Sequence, residues 1–477
     1  MSQFLTVERL IEAIGPWTYR KGPLYLRLAD AIQEAADAAA LDAGARLPAE
    51  RTLAEALDVA RGTVVSAYAA LADRGVVQRR RGSGTTIAEQ TRRLPGSHHR
   101  SPELDRVAAS GPGIPIDLTI GAPPPSPLTA ELAASAADAL RGGAPHHGYA
   151  PMGLPALRDG LATRLTAQGL PTTADELLIT SGAQGAISLL ATALVRPGDR
   201  VLVESPTYPG AIEVFSRAGA VVLGIRRDAV GPRPEDLERL IAVQPPALVF
   251  LVPTCHNPTG SIMHEQRRRE VLAVCRRHDV LVVEDLTLSD LVFDGVKPPH
   301  IASMTEIEHV VTIGSFSKAL WGGLRTGFLR ADRSLVLRLG RLKTARDLGS
   351  GLLDQAAVVA ALPRIDEVIE RARTRARDHY EVVSGLLHEA IPEWEQTVPK
   401  GGYSIWCRLP AGHGDRFAAT ALSFGVGLTT GAAAAPQEML LDHVRITCAA
   451  DLPVLREAVE RLQAAWRAQL GAQAHAA

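Results

Sequence analysis

Lys318 is one of five lysines in a 477-residue chain whose lysines and arginines together number 51. Arginine serves almost everywhere that this chain needs a surface cation, so a retained lysine points to a need for an amine. It lies in VVTIGSFSKALWGGLRTGFL (310–329), after a β-branched run, in a loop rich in Gly and Ser, with Arg325 seven residues on. An amine so placed can form a Schiff base with an aldehyde cofactor. The Ser315 and Ser317 hydroxyls and the Arg325 guanidinium can hold a phosphate, the arginine through charge-assisted, bidentate contacts. A surface lysine beside an arginine would read the same in isolation, so the context has to decide.

Four other stretches supply that context. LLITSGAQGAISLL reads as strand, Gly-containing turn and helix, and the amides after Ser181 and Gly182 then point from a helix N-terminus, a ready anion site. ESPTYPGAI puts Tyr208 at the carboxyl end of a strand, where ligands gather in open α/β sheets. Its ring either stacks on a flat cofactor or packs within the loop. VPTCHNPTG ends another strand, and Asn257 either donates to a cofactor oxygen or forms a turn before proline. VLVVEDL ends a third with Glu284 and Asp285. A carboxylate there can pair with a protonated pyridine nitrogen and strengthen the ring as an electron sink, or cap a helix.

These residues need a scaffold. RVLVE (200–204), ALVFLVPT (247–254), VLVVEDL (280–286) and VVTIGSF (310–316) are continuous apolar runs rather than alternating ones, and most are separated by helical patterns. Strands of that kind are buried on both faces, which predicts a parallel sheet in an α/β domain. From about residue 360 a long charged helix pattern precedes strand-like pieces at GGYSIWCRLP and HVRITCA, a smaller α+β lobe.

The first ninety residues differ. PLYLRLADAIQEAADAAAL sets Leu24, Leu28, Ile32 and Ala35 on one helical face. A short helix marked by Leu53 and Leu57, a tight turn at Asp58–Val59 and a second helix follow, the second with Val64, Tyr68 and Leu71 inward and Arg61, Thr63 and Ser66 outward. VVQRRRGSGTTI then reads as two short strands about a Gly-Ser-Gly turn. Helix, turn, helix and basic hairpin form a winged helix-turn-helix pattern, in which the second helix reads the major groove and the hairpin meets phosphates. A small helical interaction domain with a solvated arginine cluster would share that outline. Residues 91–115, mixed in Pro, Gly, Ser, His and Arg without apolar periodicity, read as a linker. The expected domains are therefore 1–90, the linker 91–115 and a large domain over 116–470.

Composition narrows the classes. A net charge of −1 offers no bulk basic field, so any nucleic-acid contact is local. MSQFLTVERL lacks a basic segment followed by an apolar one, and no apolar run approaches ~18 residues, so neither a signal peptide nor a spanning helix is expected. Four cysteines without a CxxC spacing read as buried reduced thiols of a cytoplasmic protein, and no metal site is expected.

The string RLPAERTLAEALDVARGTVVSAYAALADRGVV with RRRGSGT resembles the GntR family of bacterial transcription regulators, from about Pro23 to Ile87. The resemblance implies that Arg51, Arg61, Thr63 and Ser66 contact double-stranded DNA, with Arg81 and Gly82 in the wing. Ala60 stands where the family usually has a serine N-cap, a loss typically of ~1 kcal/mol. The ordered series SGAQ, SPTYP, HNPTG, ED, SFSK and GLRTGF resembles the fold type I, aspartate-aminotransferase-like family of enzymes dependent on pyridoxal 5'-phosphate (PLP), over about Asp117 to Trp466. By that resemblance Lys318 carries the cofactor, Asp285 pairs with its ring nitrogen, Tyr208 stacks on it and Asn257 bonds its 3-oxygen. Ala183 and Gln184 (backbone or side chain), Ser315 and Arg325 hold its phosphate. Tyr149, in HGYAPMGLPALR, is lent to the neighbouring subunit's phosphate, and Arg445, in HVRITC, grips a substrate or effector carboxylate. One departure concerns turnover: EDLTLSDL carries Thr287 and Leu288 where the family's enzymes usually have a tyrosine that bonds the 3-oxygen.

A winged helix joined by a linker to such a domain is the architecture of the MocR subfamily of regulators. That resemblance implies a DNA-binding transcriptional regulator that senses PLP, an amine or an amino acid, and a head-to-tail homodimer with no membrane partner. A working aminotransferase with an appended N-terminal domain is the alternative.

Overall fold

The computed structural model describes residues 5–15, 17, 23–37, 41, 44–73, 76–80, 84–87, 116–141, 147–294, 297–410, 414–436 and 440–476. The chain forms two compact units, Met1–Ser97 and His98–Ala477. The linker expected at 91–115 lies outside the described residues, as do Arg81 and Gly82.

The first unit contains α1 (Val7–Ile14), α2 (Leu24–Asp37), α3 (Glu50–Ala56), α4 (Arg61–Asp73) and the antiparallel strands β1 (Val77–Arg80) and β2 (Gly84–Ile87), paired from Val77↔Ile87 to Arg80↔Gly84. Leu28 and Ile32 are fully buried and Ala35 nearly so, as the helical spacing predicts. Leu24 is the exception at 39% exposure, because it is the first residue of α2 and its side chain precedes the packed turns. Asp58 makes the turn between α3 and α4 with φ of 52°, a left-handed conformation that Asp tolerates. Ala60 contributes a carbonyl, which accepts the Thr63 amide at 2.9 Å. Val64, Tyr68 and Leu71 are buried, and the Tyr68 hydroxyl donates to the Pro48 carbonyl at 2.9 Å, tying α4 to the chain that enters α3.

The large unit is built on a seven-stranded sheet of order β4-β10-β9-β8-β7-β5-β6. Its strands, numbered on from β3 (Ile116–Asp117) of the smaller lobe, are β4 (Leu177–Thr180), β5 (Arg200–Ser205), β6 (Val221–Arg226), β7 (Leu248–Leu251), β8 (Val282–Asp285), β9 (Val310–Ser315) and β10 (Gly327–Arg330). The strands from β5 to β9 pair in parallel, and every residue of β7 and β8 is buried. Helices cover both faces and form two separate cores, which is why these strands carry no polar alternation. The sheet is mixed rather than wholly parallel: β10 runs antiparallel to both β4 and β9. That reversal brings the residues just before Gly327 to the edge where β4 and β9 end.

The smaller lobe follows the helix Ile365–Ala390. Its sheet has the order β11 (Glu395–Gln396), β12 (Ser404–Arg408), β15 (His443–Thr447), β14 (Thr429–Thr430). β3 leaves the large sheet altogether and pairs in parallel with β13 (Val426–Gly427) of this lobe. Trp394, Phe417 and Trp466 meet edge to face in its core with centroids 5.0 to 5.6 Å apart. Among the described residues, no helix is long and apolar enough to cross a membrane, and no group of His, Cys, Asp and Glu is placed to hold a metal. All four cysteines are buried free thiols.

Acid should weaken this unit through His300. The ring is 2% exposed, and burial, helped by the Lys297 ammonium, lowers its pKa to about 3. The unfolded chain takes up that proton near pH 6.5, so the contribution is complete above pH 6.5 and is lost as pH falls toward 3. His300→Leu is expected to flatten the decline of Tm between pH 6.5 and 4. A decline as steep as in the native chain would assign it to other groups.

Candidate functional site

The parallel strands deliver chemistry at their carboxyl ends: Ser205 on β5, Asp285 on β8 and Ser315 on β9. Successive strand residues point to opposite faces, which separates the two adjacent carboxylates. Glu284 accepts the Ile301 and Ala302 amides at 2.8 and 3.0 Å and lies 3.7 Å from Arg268, so it is the capping carboxylate. Asp285 faces the other way and is only 5% exposed. Burial pushes its carboxyl up, while Thr287 and then the Lys318 ammonium hold it down. The Thr287 amide donates to it at 2.8 Å. Leu288 is buried with Cys255, Leu291 and Tyr403. Of the two residues that stand in place of the family's usual tyrosine, Thr287 meets the carboxylate through its main-chain amide, its buried hydroxyl having no hydrogen-bond partner among the described residues, and Leu288 packs in the core.

Lys318 follows β9 by three residues and is half-buried. Its Nζ donates to the Gly121 carbonyl at 2.7 Å, and its own carbonyl accepts the Tyr403 hydroxyl at 3.0 Å. Burial pushes the Tyr403 phenol up to about 12, so it remains a donor throughout the neutral range.

The anion cradle assembles from three places in the sequence. The helix Gly182–Leu194 begins after Ser181 with no side-chain cap, so first-turn amides, including that of Ala183, are left for an anion. The exposed Arg325 donates to the Ser181 carbonyl at 2.7 Å. Gly182, at φ of 77°, passes so close that an added Cβ would sit 3.1 Å from the Arg325 guanidinium. Ser315 Oγ and Ser317 Oγ are 3.0 Å apart, and the Ser317 amide donates to Ser315 Oγ at 3.2 Å. Gln184 Nε2 donates to the Gly210 carbonyl at 3.2 Å, while its Oε1 is buried with no hydrogen-bond partner among the described residues. The Tyr208 ring lies over Gly210, where a Cβ would come within 2.5 Å of it.

Asn257 and Arg445, 188 residues apart, meet: Arg445 Nη1 donates to Asn257 Oδ1 at 3.0 Å. The guanidinium is 1% exposed and also donates to the Thr119 carbonyl and, at 3.1 Å, to Thr429 Oγ1. A buried network supports the Asn257 loop. Glu204 accepts the Val252 amide at 2.7 Å and Arg227 Nε at 3.1 Å, and Arg227 reaches Ser261 Oγ at 2.9 Å. Beside it, burial and then Arg227 hold the His256 imidazole well below its ordinary pKa, hence neutral.

Tyr149 does not join this group. It is 55% exposed, its amide donates to His147 Nδ1 at 3.1 Å, and the two rings stack at 5.6 Å. Thr119, Gly121, Tyr403 and Thr429 went unread in the sequence. Two of them act through main-chain carbonyls, which leave no letter to find. Tyr403, in GGYSIW, offered only an isolated aromatic after two glycines.

This donor set fits a phosphate-bearing aldehyde cofactor with a basic ring nitrogen. It offers an amine, a buried carboxylate whose pKa that amine lowers, an uncapped helix start beside an arginine, and an aromatic ring.

In the first unit, Arg51 and Arg61 are exposed at the starts of α3 and α4. Arg51 pairs with Glu55 at 3.0 Å, and Arg61 lies 3.6 Å from Glu50. Ser66 is exposed and Thr63 half-buried. The exposed Arg51–Glu55 pair is worth ~0–1 kcal/mol.

Residues 114–462 match the family model described as aminotransferase class I and II, and residues 24–87 match bacterial regulatory proteins of the gntR family. The HTH-type transcriptional regulator YdfD of Bacillus subtilis is 29% identical, over 82% of this chain and 85% of its own. The probable rhizopine catabolism regulatory protein MocR of Rhizobium meliloti is 29% identical over 78% of each chain. Among solved structures, LysN of Thermus thermophilus, an alpha-aminoadipate aminotransferase complexed with N-(5'-phosphopyridoxyl)-L-leucine, is 28% identical with a TM-score of 0.71. The match covers 78% of this chain and 96% of that one.

Proposed function

We propose, for a chain that belongs to the aminotransferase class I and II family and carries a gntR-type regulatory domain, a transcriptional regulator of the MocR type whose large domain senses PLP, an amine or an amino acid. The observation that carries this reading is the presence, in one chain, of a helix-turn-helix with Arg61 and Ser66 outward and of an amine–carboxylate–anion site. Residues 1–90 bind double-stranded DNA, 91–115 link, and 116–470 hold the cofactor.

The cofactor is pyridoxal 5'-phosphate, which supplies an aldehyde reactive toward amines and an electron-withdrawing ring. Lys318 offers its Nζ to that aldehyde. Asp285 holds the proton at the ring nitrogen, and its burial keeps water from competing. The amides opening the helix Gly182–Leu194, with Ala183 and Gln184, hold the phosphate together with Ser315, Ser317 and Arg325. Tyr208 covers the ring, Asn257 bonds its 3-oxygen, and Tyr149 of each subunit reaches the partner's phosphate in a head-to-tail homodimer. Arg445 orients the carboxylate of an effector. Thr287 and Leu288, neither of which carries a phenol, favour sensing over turnover. The protein works in the cytoplasm.

Regulation is a population shift. An effector changes DNA affinity only so far as it binds two arrangements of the chain unequally. The test is a titration of the protein against its own upstream DNA, with and without PLP, at fixed salt. Specific affinity that changes with PLP is expected. Weak binding that is blind to PLP, together with conversion of the cofactor by amino acids, would favour a working aminotransferase. Arg61→Ala is expected to weaken specific binding by ~1–3 kcal/mol. Unchanged affinity and selectivity would move recognition off α4.

A further inference from the structure

The large unit has a cleft beside the Lys318 turn, lined by Ala319 and Leu320. It holds about 300 Å³, at the lower end of the range for small-molecule sites. One wall is the first half of the helix Ile365–Ala390, with Arg371 and Arg375, and the preceding residue Arg364. The facing wall is the proline-rich segment from Pro123 to Glu131, and the floor includes Leu320 and Tyr403. The buried Arg445 is not among its lining residues.

The three arginines are not equivalent. Arg375 pairs with Asp451 at 3.0 Å and donates to the Ala449 carbonyl, and Arg364 lies 3.7 Å from Glu367. Arg371 is exposed and makes no ion pair or hydrogen bond among the described residues, although it borders a half-open cleft with both polar and apolar walls. Glu131, on the facing wall, repels an anion there and directs it to the helix. Pro123, Pro124 and Leu320 offer surface to an apolar body but few polar groups to a hydrophilic one.

We infer that this cleft is a second ligand site, for a small organic carboxylate with an apolar body, its carboxylate on Arg371 and flanked by Arg375. The site abuts the cofactor lysine: Leu320 is two residues from Lys318, and Tyr403 holds the Lys318 carbonyl at 3.0 Å. It does not depend on the regulatory function proposed above, since neither DNA nor turnover enters its definition.

3-Phenylpropionate is a suitable probe, because it has one carboxylate, one ring and no amine to react with the cofactor. Calorimetric titration of the full-length, PLP-loaded protein should show saturable binding that falls about tenfold or more in Arg371→Ala, the scale of one lost charge-assisted contact. Arg371→Lys should recover part of it. Arg371 is exposed, so the variants should fold as the native chain does, and matching Tm values check this. Two results would overturn the site: no saturable binding to the native protein, or superimposable titrations of the native protein and Arg371→Ala, which would place the probe elsewhere, Arg445 included.

Discussion

Lys318→Ala should eliminate the visible absorbance band of the PLP-loaded protein while leaving its circular dichroism and Tm close to native. The other lysines of the large unit make poor substitutes. Lys297 is 3.4 Å from Asp290, and Lys343 is held by Asp347 at 2.8 Å. Lys400 is exposed, outside the strand-end site. Truncation removes a half-buried side chain and its hydrogen bond to the Gly121 carbonyl. The Tyr403 bond to the residue 318 carbonyl needs no side chain at 318 and persists. The fold therefore loses little, and cofactor retention loses its covalent component. Cofactor affinity should fall by more than about tenfold, or ~1.4 kcal/mol. A variant that keeps the native band would place the reactive amine on another residue.

Arg268→Leu should destabilise the large unit by ~3–5 kcal/mol, the scale for stranding one member of a buried ion pair. Arg268 is fully buried and donates to the carbonyls of Met263, Pro299 and Pro253 at 2.7, 3.1 and 3.0 Å and to Thr254 Oγ1 at 2.6 Å. Its Nη1 is 3.7 Å from Glu284. Burial already pushes the Glu284 carboxyl up and Arg268 is the first influence opposing it, so the variant should leave Glu284 protonated or the strand end loosened. Glu284 precedes Asp285 on β8, and cofactor retention should decline with stability. Urea unfolding followed by tryptophan fluorescence measures the change. A loss below ~1 kcal/mol would mean that the network relaxes around the gap. Adding Glu284→Gln should restore part of the stability, because no stranded charge remains.

Much of the site is legible in the order of the letters. Asp285 ends a β-branched strand, Lys318 and Asn257 follow theirs within a few residues, and strand ends are where an α/β sheet presents side chains. Strand position by itself did not choose between Glu284 and Asp285, and Asp285 came only from the family resemblance. Both letters end the same strand, and only the direction of each side chain separates cap from site. Tyr149 illustrates another limit: within one chain it is exposed and apart from the other site residues, which the order of the letters does not show.

Sequence alone determined the elements whose cause is local. The period of α4 placed Val64, Tyr68 and Leu71 inward, and continuous apolar runs marked strands buried on both faces, because burial of one face or two is written every few residues. The tertiary structure alone decided which distant groups meet. The antiparallel run of β10 carries Arg325 to Ser181, the pairing of β3 with β13 sets the Thr119 and Gly121 carbonyls against Arg445 and Lys318, and Arg445 finds Asn257 across 188 residues. Those meetings depend on strand order and chain crossing, and the partners are often main-chain carbonyls, which every residue possesses and no letter distinguishes.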